Sequence, residues 1–341
     1  MEQATTTAPD SRDAQAAQPA TRVSLSRVGV TGVEKVIRVR RDGDASDGGL
    51  YHADLEAFVD LNPEQAGVHM SRFEEVVNEA IDGVVLGEAL RAEELAAHIA
   101  ERVRERQGGI RAEVKISARY PETVPTPVSG LPTQELYTLF GTAVASDRGT
   151  RTLRGVEAQG MTACPCAQGL VEDGARERLA AHGFSPEEIE RIVETVPLAT
   201  HNQRGIGSLY IGCPEGDAVD IDARELLRIV ESSMSSEIYE LMKRADERAV
   251  VEKAHANPRF VEDCVREMIR QVVGGFPELA PGAFVLARQE NLETIHRHNV
   301  VAERYGLVNE IARELETGEH SRHHTTVREW LEAPGGAAVA P

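Results

Sequence analysis

The segment MTACPCAQG at 161–169 places two thiols, Cys164 and Cys166, on either side of a proline whose ring fixes its backbone. Cys-x-Cys is too tight for the tetrahedral Cys-x₂-Cys zinc knuckle, so one sulfur is expected as a ligand while the other points elsewhere. The plain alternative is a pair of buried cysteines. In THNQRG (200–205), His201 offers a ring nitrogen to a metal and Arg204 a planar fork for phosphate or carboxylate; a hydrogen-bonded turn is the alternative. LMKRADE (241–247) carries the dibasic pair Lys243 and Arg244, which an anionic ligand explains better than a solvated face does. Its Glu247 could hold a metal or the water on it. In ETIHRHN (293–299), His296 and His298 share a face on a strand but need not do so on a loop.

GVHMSRFEEVV (67–77) reads first as a helix start, with Ser71 as N-cap and Glu74 three residues on as a capping box. His69 and Arg72 are left over, and an arginine beside a helix N-terminus suits an anion. Cysteine, histidine and glutamate from separate segments make a mixed sulfur, nitrogen and oxygen set. Such a set suits Zn(II) or Fe(II), and one with an exchangeable position belongs to catalysis. The residues alone reach a metal-dependent hydrolase acting on a phosphorylated small molecule.

The elements that must position these residues follow one pattern twice. Extended segments are expected at 22–41 and 51–61, helices at 71–83 and 87–106, and extended segments at 111–119 and 136–147. The second half offers extended segments at 149–162 and 206–212, helices at 222–244 and 258–274, and an extended run at 283–289. The expected class is α+β, built of two similar halves with helices on one face of mostly antiparallel sheets. A helical insertion at 170–196 breaks the symmetry, with Ser185-Pro186-Glu187-Glu188 opening its second helix. The expected divisions are a disordered lead-in over 1–20, halves over 21–147 and 148–315, and a flexible tail over 316–341.

The 341 residues carry a net charge of −19, which argues against nucleic acid or an anionic membrane surface as partner. Four lysines stand among 37 basic residues, a composition that would stay soluble in high salt, so a halophilic setting is one expectation. No apolar run is long enough to span a membrane. Four cysteines make no disulfide framework, and a reducing cytoplasm is expected.

SRVGVTGVEK, GVHMSRF, TACPCAQ, THNQRG, KRADE, NPRFVED and ETIHRH occur in an order that resembles the metal-dependent GTP cyclohydrolases, a family with a bacterial type IB branch and an archaeal branch of the methanopterin route. The resemblance runs from about 22 to 310. It implies the tunnelling fold, with two ββααββ modules per subunit, homodimers or homotetramers, and active sites at subunit interfaces. It also implies that Cys164, His201, Glu247 and His296 surround the metal, with Fe(II) expected and Zn(II) or Mn(II) as alternatives. Glu262 would anchor the guanine edge of the substrate GTP, and Cys166 would be a second active-site thiol. His298 or Cys166 would shuttle protons, while His69, Arg72, Arg204, Lys243 and Arg244 would meet the triphosphate or ribose. Water adds to C8, the imidazole ring opens and formate leaves. The archaeal branch then yields 7,8-dihydroneopterin 2′,3′-cyclic phosphate and diphosphate, the type IB branch the triphosphate. The long stretch between Cys-Pro-Cys and His-Asn-Gln-Arg resembles the archaeal branch.

Overall fold

A computed structural model describes residues 15, 17–40, 48–86, 91–214, 221–319 and 321–333. Of the lead-in expected over 1–20, residues 1–14 and 16 lie outside the described residues. Strands β1 (Leu25–Arg40) and β2 (Gly48–Leu61) pair antiparallel, followed by helices α1 (Met70–Leu86) and α2 (Ala92–Gln107), then β3 (Arg111–Pro125) and β4 (Pro132–Ser146). The alternation of YHADLEAFVDL is realised in β2, where Tyr51, Ala53, Leu55, Ala57, Val59 and Leu61 are buried and their neighbours are not. Helix α1 begins at Met70, so Ser71 lies inside the first turn rather than at the cap.

The expected two ββααββ modules do not describe the molecule. The strands form one continuous antiparallel sheet in the order β1-β2-β3-β4-β5-β6-β8-β9, with β7 paired to β5 off this path. β4 turns directly into β5 (Gly149–Ala163) with Ser146 opposite Gly149, so no break in pairing separates the halves. The second half also departs from the first in its elements. It runs β5, α3 (Pro165–Ala181), α4 (Pro186–Thr195), β6 (Asn202–Gly212), α5 (Ala223–Ser232), β7 (Ser236–Glu237), α6 (Arg244–Ala256), α7 (Val261–Gly275), β8 (Phe284–Leu292) and β9 (Val300–Leu307).

The single helix expected over 222–244 is split because a serine run competes for its backbone. The Ser232 and Ser233 hydroxyls both donate to the Ile229 carbonyl, and α5 stops there. KRADE consequently opens α6 instead of closing α5. Asp246, fully buried, accepts hydrogen bonds from the Val128 and Ser129 amides (2.9 and 2.8 Å), the Ser129 hydroxyl (2.6 Å) and the Lys243 amide (2.9 Å). One carboxylate thereby caps α6 and ties it to the tip of the β3–β4 hairpin. The Ser129 hydroxyl, helped by the amides, holds this carboxyl well below the usual carboxylate range.

Helices α1, α2, α5 and α7 bury their apolar faces in one cluster against the sheet, with Phe73, Leu95, Ile99, Leu226 and Met268 fully enclosed. The helices do not all share that face. After α8 (Val308–Thr317), the segment expected as a flexible tail forms α9 (Val327–Glu332), which packs on the opposite face against Val144, Leu153 and Phe284. Thr326 and Glu329 make a reciprocal cap, and Trp330 is completely buried. The indole N–H donates to the Gly282 carbonyl at 3.0 Å, and the Arg151 guanidinium lies 4.8 Å over the ring. No described helix is long and apolar enough to cross a membrane.

Three outcomes test this architecture. Trp330→Ala should lower the unfolding free energy by about 3–5 kcal/mol in urea titrations, the usual result of emptying a large aromatic site. Removal of the residues after 320 should be similarly destabilising. Asp246→Asn should unfold at lower urea than the wild type at pH 7. The carboxyl titrates below its unfolded value of about 3.9, so its contribution is complete above that pH and fades as pH falls further; the gap between the two proteins should narrow below about pH 4.

Candidate active site

The end of β5 and the start of β6 bring Cys164 and His201 together. Ala163 lies opposite Asn202 in the antiparallel register, and one residue further the Cys164 amide donates to the His201 carbonyl at 3.1 Å. The Thr200 hydroxyl donates to the Cys164 carbonyl at 2.8 Å. Cys164 is also the N-cap of α3, its sulfur accepting from the Ala167 amide. This orientation separates the two thiols: Cys164 faces a cavity of about 280 Å³, whereas Cys166 is exposed and does not line it.

Two further segments close that cavity. The Arg259 amide donates to the Ala163 carbonyl at 2.9 Å, which fixes NPRFVED against the end of β5 and sets Glu262 in the first turn of α7. After β8, the Thr294 hydroxyl donates to the Asn202 carbonyl at 3.1 Å and holds the loop that carries His296 and His298. Their rings stack with centroids 5.1 Å apart. Cys164, His201, Glu262, His296 and His298, drawn from four separated segments, thus line one cavity.

The same wall contains residues that the motif reading did not single out: Gln203, Arg259, Asn291 and Glu293. His201 Nδ1 lies 3.1 Å from Gln203 Oε1 and 3.9 Å from Glu293 Oε2. With the Nδ1 proton donated to Gln203 Oε1 and the Glu293 carboxylate nearby, Nε2 keeps its lone pair for a ligand, the usual arrangement of a metal-binding imidazole. Gln203 and Glu293 stand inside quoted motifs. Asn291 had a signal of its own, being a polar residue in the buried phase of a strand.

The other candidates lie elsewhere in the single chain. His69 and Arg72 sit at the start of α1, where Arg72 donates to the Arg106 carbonyl and Gln107 to the His69 carbonyl. Arg204, one residue along β6 from Gln203 and so on the other face, donates to Gln159 at 3.0 Å. Lys243, Arg244 and Glu247 are exposed around the start of α6 and do not line the cavity. Cys264 is buried within α7, and burial pushes its thiol up to about 12, which makes it inert.

The donor set on the cavity, thiol with imidazoles and carboxylates, has the chemistry of a borderline divalent metal. Among the described residues no three histidine, cysteine, aspartate or glutamate side chains are already close enough to share one ion. A larger hollow of about 870 Å³ lies against the opposite sheet face around the stacked rings of Phe140 and Tyr210. Neither a cysteine nor a histidine lines it among the described residues, so it offers nothing to this chemistry.

Several known proteins are similar to this chain. It is 42% identical over 309 residues to the GTP cyclohydrolase MptA of Methanococcus aeolicus, covering 89% of this chain and 99% of that one. The proteins of the same name from Methanocaldococcus jannaschii and Methanothermobacter thermautotrophicus are 39% and 40% identical, again over 89% of this chain. Among solved structures, the uricase of Arthrobacter globiformis aligns at a TM-score of 0.49 with 12% identity, covering 89% of this chain and 98% of that one. The profile described as Type I GTP cyclohydrolase folE2 matches residues 12–302. With that match and these relatives, the chain belongs to the GTP cyclohydrolase enzymes of the Type I folE2 family.

Proposed function

We propose that this enzyme opens the purine of GTP in a metal-dependent reaction and, as the archaeal-branch motifs suggest, releases formate, diphosphate and 7,8-dihydroneopterin 2′,3′-cyclic phosphate for pterin biosynthesis. The observation that carries the reading is the convergence of Cys164, His201, His296 and Glu262 on one cavity. The similarity to proteins named GTP cyclohydrolase MptA supports the same substrate.

Cys164, His201 and His296 are the residues that would hold the metal. An Fe(II), Zn(II) or Mn(II) ion there would make water nucleophilic at neutral pH. Glu262 accepts the N1 and N2 protons of guanine and so turns C8 toward Cys164 and the histidines. A ring nitrogen of His298, stacked on His296, takes and returns protons as the imidazole ring opens and formate departs. Cys166, exposed beside the site, has no role in this scheme.

Triphosphate binding needs cations, and among the described residues Arg259 is the one lysine or arginine on this cavity. The sheet has two open edges, β1 and β9, and the cavity lies at the β8–β9 end with Val300 on its wall. Pairing of β9 with the β1 edge of a second copy would close both edges, and His69 and Arg72, at the start of α1, would reach the cavity from another subunit of the assembly. The functional unit is accordingly a homo-oligomer with sites completed at its interfaces. The exposed Lys243, Arg244 and Glu247 would enter the site by the same route.

Product analysis after anaerobic incubation with GTP and Fe(II) tests the reaction. Formate and diphosphate should appear together with a cyclic phosphate. A pterin that keeps its triphosphate would assign the chain to type IB chemistry instead. Cys164→Ala and His296→Ala should each abolish stoichiometric metal binding along with turnover. Glu262→Gln should retain metal while kcat/KM falls about a hundredfold, the loss expected for a charge-assisted pair of hydrogen bonds.

A further inference from the structure

Strand β8 sends four successive residues of one phase, Val285, Ala287, Gln289 and Asn291, into the helix-covered side of the sheet. The first two are apolar, as that face requires. The last two are amides, with Gln289 fully buried and Asn291 3% exposed. An amide group enclosed without a partner costs about 1–3 kcal/mol, so amides at these two positions are not explained by packing.

The opposite strand is cut away to admit them. Asn291 and Gln289 pair in register with Gly205 and Gly207 of β6. A Cβ on Gly205 would lie 2.4 Å from Gln289 Nε2, and one on Gly207 2.9 Å from Gln289 Oε1. Any larger residue at either position would displace the amide. The space the glycines leave is used in one direction only. Gln289 Nε2 donates to Asn291 Oδ1 at 3.2 Å, while Gln289 Oε1 has no hydrogen-bond partner among the described residues.

This bond engages the carbonyl oxygen of Asn291. With its oxygen so engaged, Asn291 keeps its NH₂ group, a pure donor, for the cavity it lines. Glu262, on the same cavity, presents a pure acceptor. The reactive purine offers two donors, N1–H and N2–H, followed on the same edge by one acceptor, O6. A carboxylate matches the donors and leaves O6 in need of an N–H.

We propose that Asn291, oriented by the buried Gln289, is a specificity-determining residue that donates to the 6-oxo group of the purine and, with Glu262, selects guanine. The proposal rests on the GTP reading above. An adenine nucleotide, with an amino donor at that position, would face the Asn291 amide donor to donor. Arg259 and Gln203 also carry N–H groups on this wall; Arg259 Nε is engaged by Asn257 Oδ1 at 3.3 Å, and Gln203 is tied to His201 Nδ1 through its Oε1 at 3.1 Å.

The test is formate release from GTP and from its 6-thio analogue, which keeps N1–H and N2–H and replaces O6 by a poor acceptor. Wild-type protein loaded with Fe(II) should prefer GTP by about ten- to a hundredfold in kcat/KM. Asn291→Leu should lose that preference, with GTP falling to the level of the analogue and most of the loss in KM. Asn291→Asp, nearly isosteric, places a carboxylate against O6 and should fall further on GTP. Glu262→Gln should lower both substrates alike. A merely structural role for Asn291 would shift melting temperature and both substrates together, leaving the preference intact. An Asn291→Leu protein that discriminates like the wild type, or an Asn291→Asp protein with undiminished kcat/KM for GTP, overturns this proposal alone. Wild-type protein that releases no formate with Fe(II), Zn(II) or Mn(II) overturns the GTP reading and this proposal with it.

Discussion

The site depends on the antiparallel register between β5 and β6. Opposing residues in such a ladder sit about 5 Å apart, so pairing Ala163 with Asn202 leaves no freedom in where the next residues go. Cys164 leaves one strand at the level where His201 enters the other, and a backbone hydrogen bond locks the two together. The other walls join this junction through the Arg259 amide, which donates to the Ala163 carbonyl, and through the β6–β8 ladder with the Thr294 hydroxyl on the Asn202 carbonyl. A one-residue slip would turn every side chain of β6 to the other face and exchange Gln203 for Arg204 at the cavity.

The helices give this junction its rigidity. One face of the sheet is covered by α1, α2, α5 and α7 in a continuous apolar cluster, and the other is closed over β4, β5 and β8 by α9 with Trp330 at its centre. The strands that carry the cavity are therefore covered on both sides away from it, with Phe284 at the start of β8 and Gly212 at the end of β6 under Trp330, while the cavity lies at their other ends. α3 and α4 add little to the core, since among α3 residues none is buried and in α4 only Ile189 is. Their effect is local: α3 takes Cys164 as its cap and thereby fixes where that sulfur points.

Charge is distributed in keeping with this division. Many acidic residues stand in surface ion pairs, such as Glu79 with Arg102 and Arg106, or Glu172 and Glu190 with Arg176. Such pairs contribute little to stability individually. The carboxylate with the greatest structural effect is Asp246, which is hidden and satisfied by four hydrogen bonds. It organises the α6 start where Lys243 and Arg244 are displayed.

Local patterns in the sequence determined much of this molecule. Alternation placed β2, helical spacing placed α2 and α7, and the Ser185-Pro186 start placed α4, because each signal is carried by residues that are neighbours along the chain. The motifs named the thiol, imidazole and carboxylate donors for the same reason: donor chemistry belongs to the side chain. Tertiary structure alone decided which donors meet. Whether Cys164 or Cys166 faces the cavity follows from an N-cap, and the absence of Glu247 from its wall follows from a serine run that moved KRADE to the start of a new helix. The roles of Gln203, Asn291 and Glu293 follow from strand pairing across distant segments. The continuous sheet in place of two modules, and the docked α9 in place of a flexible tail, are likewise products of long-range contacts that no local pattern encodes.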